Sequence, residues 1–200
     1  NAYGVYFEVT GGSTSTNNNI YNNIIYLNSL ASAYGVYISS LGYTNENVFD
    51  NNSIDIISTS GNGLYFLNLV STIDSNEIKN NNISLNCPSL SDGIGLGHAG
   101  GSSMNNNVFL NNNLSILGNP SSKTINEIGS GSGVNYLIYN NSFGEIKWVK
   151  TDLDVATNLT FPGNIEIGEG WAYYNASGNS SIDNLNSSAN ITFYSHNLME

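Results

Sequence analysis

The sequence predicts an all-β solenoid of stacked parallel strands, about five coils long, with a β-rich C-terminal cap. Three observations carry this reading. A pattern recurs about every thirty residues, hydrophobicity inside each repeat alternates with period two, and clusters of asparagine flank short apolar stretches, as in NNNVFLNNN from Asn105 to Asn113. Asparagine is a poor interior residue for helices and strands alike. Its return at fixed spacing therefore asks for a geometry that uses amides.

The repeat comes first. The β-branched residue inside each cluster falls at Ile20, Val48, Ile78, Val108 and Ile138, with spacings of 28, 30, 30 and 30. Three residues after each stands an asparagine: Asn23, Asn51, Asn81, Asn111 and Asn141. A second column holds Gly4, Gly35, Gly63 and Gly93. After each glycine, apolar residues sit two apart (Val5/Phe7, Val36/Ile38, Leu64/Phe66, Ile94/Leu96), which is a strand signal. A third apolar stretch follows each asparagine column, as in IIYL at 24–27 and IDII at 54–57. No segment sustains a 3.6-residue period with caps, so no helix is expected.

Three short strands per repeat without a helix describe a solenoid whose coils stack at ~4.8 Å. Parallel stacking places equivalent residues directly above one another. An asparagine at a bend tolerates the left-handed backbone region, and its amide can donate to one coil and accept from another. Asn23, Asn51, Asn81, Asn111 and Asn141 are the expected structural ladder.

The recurring N-x-[IV]-x-x-N, as in NENVFDNN (45–52) and NEIKNN (76–81), with YGVYI (34–38) and NGLYF (62–66), resembles the right-handed parallel β-helix repeats. Such repeats occur in pectate-lyase-like and polygalacturonase-like enzymes, in NosD-like proteins, and in bacterial and archaeal surface proteins. The resemblance covers residues 1–146 and implies a right-handed parallel β-helix. Residues 147–200 lose the repeat and read as β-rich, a cap on the open end or a connector to further domains. The chain opens inside a repeat, so it is expected to be a segment of a longer protein.

Composition narrows the function classes. Of 200 residues, 40% are hydrophobic and only 10% charged, the reverse of a disordered chain. Net charge is −11, from 15 acids against 4 lysines and no arginine. Nucleic-acid binding needs clustered cations, so that partner class is excluded, and an anionic membrane surface is disfavoured on the same ground. No apolar run is long enough for a membrane-spanning helix. The one cysteine, Cys87, reads as a small buried filler.

For catalysis the sequence offers little. The acids Asp50, Asp55, Asp74, Glu77 and Asp92 are scattered along the repeats. The sharpest local motif is DGIGLGHAGGS, Asp92 to Ser102, which resembles the G-H-G-x-S-x-G strand of polygalacturonase-like enzymes. That likeness implies a catalytic role for His98, with Asp92 beside it. The paired aspartates and the uronate-gripping cation of those enzymes have no evident counterparts. A lyase of this fold needs a strong base and neutralising cations, which Lys79, Lys123, Lys147 and Lys150 do not supply as a cluster. Copper is not expected, because His98, His196, Met104 and Met199 lack ligand spacing. No metal motif appears and no cofactor is expected, although an Asp/Asn cluster is compatible with calcium.

The outward positions are aromatic. Tyr6, Tyr37 and Tyr65 alternate with the inward pairs and form one expected column. Tyr21, Phe49, Phe109 and Tyr139, in a column shared with Lys79, form the second. Exposed rings on a flat sheet suit sugar faces, and surrounding amides suit hydroxyls. Nine Asn-x-Ser/Thr sequences occur. The five at Asn158, Asn175, Asn179, Asn186 and Asn190 lie outside the ladder and are the glycosylation candidates, whereas Asn51, as a ladder member, is not. The expected function is an extracellular surface or adhesion module that binds polysaccharide or other cell-surface components, with self-association a second partner class. A polysaccharide-degrading hydrolase or lyase and a structural spacer are the alternatives.

Overall fold

The computed structural model describes residues 1–10, 13–69, 72–98, 104–128, 133–151, 153–156, 158–175, 185 and 187–195, with the side chain of His98 left out. Among these residues there is no helix. Strands β1 (Ala2–Val9), β2 (Ser15–Thr16) and β3 (Asn19–Tyr21) form a partial leading turn. The next two circuits are β4 (Ile24–Ser40), β5 (Thr44–Asn45) and β6 (Val48–Asp50), then β7 (Ser53–Asn68), β8 (Ile73–Asp74) and β9 (Glu77–Lys79). In the following circuit the long strand divides at Pro88 into β10 (Asn82–Cys87) and β11 (Asp92–His98), followed by β12 (Met104–Asn105) and β13 (Val108–Leu110). The last comprises β14 (Asn113–Gly118), β15 (Lys123–Ile128) and β16 (Asn135–Asn141).

These strands stack in three parallel sheets. The long face runs β1-β4-β7 and then divides, β10-β14 on one side and β11-β15 on the other. A two-residue face runs β2-β5-β8-β12, and a three-residue face runs β3-β6-β9-β13-β16. The molecule is thus a β-solenoid of about four turns. The sequence estimate of five counts the partial leading turn as a whole one.

The three-residue face explains the asparagine clusters. A residue with positive φ precedes each of β3, β6, β9 and β13 (Asn17, Glu46, Ser75, Asn106) and another follows it (Asn22, Asn51, Asn80, Asn111). Next to each sits a ladder asparagine. One ladder is Asn18–Asn47–Asn76–Asn107–Asn135, each Nδ2 donating to the next Oδ1 at 2.8–3.0 Å. The other is Asn23–Asn52–Asn81–Asn112, at 2.9 Å throughout. Within a ladder, Asn52 donates to Asn81 Oδ1 and to the Ile20 carbonyl, and its own Oδ1 accepts from the Asn23 backbone N–H and side chain. Both amide protons and both lone pairs are used, which is what lets Asn52 lie buried.

This register corrects the sequence alignment. Asn23 and Asn81 are ladder members as expected. Asn51 and Asn111 are instead the positive-φ corner residues one position earlier, and Asn141 donates to the Ile167 carbonyl. Asn51 is exposed rather than inward. The ladder spacings are 29, 29 and 31. Aligning on β-branched residues selected Val48 and Val108, whereas the core column is Ile20–Phe49–Ile78–Phe109–Leu137. A one-residue slip turns every side chain to the opposite face. That slip is also why Phe49 and Phe109, expected outside, are wholly buried. Tyr139 is buried too, its hydroxyl donating to the Asn112 carbonyl at 2.8 Å.

After β16 the pairing direction reverses. Strand β17 (Gly144–Lys150) runs antiparallel to β16, and β20 (Asn190–Phe193) antiparallel to β17, while β18 (Ile165–Gly168) and β19 (Trp171–Tyr174) form a separate hairpin. Between them, Leu159 bridges Leu114 and Val155 bridges Ile125, both antiparallel, along the free edge of β14 and β15. Leu153, Val155 and Leu159 are buried there, and Asp154 pairs with Lys123 at 2.8 Å. No helix among the described residues is long and apolar enough to cross a membrane.

Candidate functional site

The most developed surface feature is a group of tyrosines on the long face. Register fixes two adjacent outward columns, Tyr6–Tyr37–Tyr65–Gly95–Asn126 and Tyr3–Tyr34–Asn62–Asp92–Lys123. The sequence identified Tyr6, Tyr37 and Tyr65 but missed Tyr3 and Tyr34. The signal was the repeated YGVY, Tyr3–Tyr6 and Tyr34–Tyr37. Strict alternation would put residues three apart on opposite faces. At this bend Gly35 and Val36 are both buried, so Tyr34 and Tyr37 emerge on the same side. The glycine is required, because a Cβ on Gly35 would lie 2.5 Å from the Gly63 carbonyl oxygen of the next turn.

The rings pack on one another. Along the solenoid axis Tyr3 stacks on Tyr34 at 5.3 Å and Tyr6 on Tyr37 at 5.4 Å, with Tyr65 tilted against Tyr37 at 5.5 Å. Across the columns Tyr34 meets Tyr37 edge-on at 5.0 Å. Ring faces are therefore largely shared between turns, and the Tyr65 hydroxyl lies close against Gly97 of the next turn. Tyr3 is 40% and Tyr6 46% exposed. At the other end the Tyr65 ring leans over a glycine floor, where a Cβ on Gly95 would fall 2.5 Å from its Cδ2. Burial, reinforced by neighbouring phenols, pushes the Tyr37 hydroxyl up to about 12, and burial also raises Tyr34 and Tyr65.

Asp92 closes the face. It is only 7% exposed. Its Oδ2 accepts from Asn126 Nδ2 at 3.2 Å, while its buried Oδ1 has no partner. Burial raises its pKa, opposed by Asn126 and by the Lys123 ammonium. His98 lies on the same strand and pairs in register with Asn68. Six residues of extended chain separate it from Asp92, ~20 Å at the strand rise. The two candidate catalytic residues therefore do not meet at one reacting bond. Among the described residues no three His, Cys, Asp or Glu side chains converge as a metal site.

The remaining expected site residues are dispersed. Tyr21 is 62% exposed, but on the three-residue face, in register with Asp50 rather than with the tyrosine group. Asn158 is half-buried, with its Oδ1 accepting from the Ile116 N–H at 2.9 Å. Asn175 is half-buried and Asn190 exposed on β20. Asn179 and Asn186 lie outside the described residues. Comparison of the chain with protein-family models, with curated proteins and with solved structures returned no match.

Proposed function

We propose that this chain is a non-enzymatic extracellular surface module, a right-handed solenoid ended by its C-terminal segment, whose tyrosine face binds polysaccharide. The observation that carries the reading is the five-ring group of Tyr3, Tyr6, Tyr34, Tyr37 and Tyr65, held on one face by stacked turns. Ring edges and the faces not taken by neighbouring tyrosines offer apolar contact to the C–H side of a sugar, and phenol hydroxyls offer partners to its hydroxyls. A rigid scaffold lowers the ordering cost of binding a repetitive polymer.

A structural spacer is the second reading, favoured by the fact that the rings already satisfy one another. Affinity electrophoresis against neutral and acidic polysaccharides, with reducing ends assayed in the same samples, separates the two. Retardation without new reducing ends, lost in Tyr6→Ala and Tyr37→Ala, is the expected result. Absence of retardation on every glycan would leave the spacer. Product formation would return the polysaccharide-degrading reading, with Asp92 and His98 the first residues to substitute.

A further inference from the structure

A second site lies away from the tyrosine face, in the C-terminal part of the chain. A cavity of about 410 Å³ opens between the β18–β19 hairpin and the turn after β16. Phe143, Phe161 and Trp171 supply aromatic walls, and Glu166 and Glu169 supply two carboxylates. The indole of Trp171 lies against Gly168, its cross-strand partner, where a Cβ would collide with the ring. That seat fixes the ring, yet half of its surface stays exposed. Among the described residues no Lys or His lines the cavity.

The geometry points to a binding site for a small alkylated ammonium ion. A ring face attracts a cation through its quadrupole, most strongly for indole. Alkyl groups on nitrogen lower the dehydration cost and fill apolar volume beside Phe143 and Phe161. The two carboxylates attract the charge without needing a donor from the ligand. A neutral sugar would use the same rings and donate hydroxyls to the carboxylates, but only a cation gains from their charge, and an anionic ligand would be repelled.

Isothermal titration of the whole chain with choline, beside its uncharged tert-butyl isostere, tests this. Choline is expected to bind, and the isostere to bind about tenfold more weakly or worse. Trp171→Ala and the pair Glu166→Gln with Glu169→Gln should each weaken choline about tenfold, while Tyr6→Ala leaves it unchanged. Trp171→Phe keeps a ring in place and should retain part of the affinity, which guards against a misfolded hairpin. Equal binding of choline and the isostere, unchanged affinity in Trp171→Ala, or no binding of choline at millimolar concentration would overturn the proposal. None of these outcomes bears on the glycan reading.

Discussion

Two neighbouring asparagines in one cluster do different work. Asn52 is buried, and its amide makes four hydrogen bonds to the turns above and below. Asn51 is exposed at φ 53°, and its side chain donates to Asn22 Oδ1 at 2.8 Å in an exposed amide contact between turns. Asn52→Ala strands several buried donors and acceptors, each costing ~1–3 kcal/mol, so a loss of about 3 kcal/mol or more is expected. Asn51→Gly suits the left-handed corner and gives up only one exposed hydrogen bond, so it should change stability by about 1 kcal/mol or less. Urea unfolding of both variants checks the contrast, and similar losses would place the ladder in the wrong column. The sequence revealed that amide ladders exist but not which asparagine of each run belongs to them. Runs such as Asn111–Asn113 are degenerate in residue type, and only the buried Phe49 and Phe109 fix the register.

At the scale of the strand, the glycine column controls how closely turns approach. A Cβ on Gly63 would lie 2.5 Å from the Gly93 carbonyl oxygen and against Ile83. Gly63→Ala should therefore cost about 1–3 kcal/mol by forcing β7 from β11, and thermal unfolding measures it. This column and the alternation after it were legible in the sequence, because a missing side chain and a period of two are both local signals. Tyr3 and Tyr34 were not, because the bend at Gly35 breaks the alternation that the reading relied on. The stacked strands also predict a response to alkali. Tyr37 ionises near 10 when unfolded and at about 12 in the fold. Between those values the unfolded chain has lost a proton that the native chain keeps, so stability must fall as pH rises from about 10 to about 12. Melting temperatures across that window should drop more steeply for the wild type than for Tyr37→Phe. Parallel curves would show that the stacked phenols do not share a suppressed ionisation.

At the scale of the molecule, the solenoid converts a sequence period into a lateral surface. Repetition along the axis turns single outward residues into columns, and Tyr6–Tyr37–Tyr65 with Tyr3–Tyr34 is the most extended aromatic set that results. The architecture was readable because the period recurs along most of the chain. The surface chemistry was readable only in part, since the same residue types serve core and surface: Phe49, Phe109 and Tyr139 went inside while Tyr21 stayed out. The hairpin holding Trp171 lies outside the repeat, and no periodic signal marks its cavity. The most direct test of the account sets Tyr6→Ala beside Tyr21→Ala in affinity electrophoresis on the glycan that retards the wild type. Both tyrosines are exposed, but only Tyr6 belongs to the stacked face. Loss of retardation in Tyr6→Ala with retention in Tyr21→Ala is the expected result. Equal loss in both, or retention in Tyr6→Ala, would contradict the assignment of binding to that face.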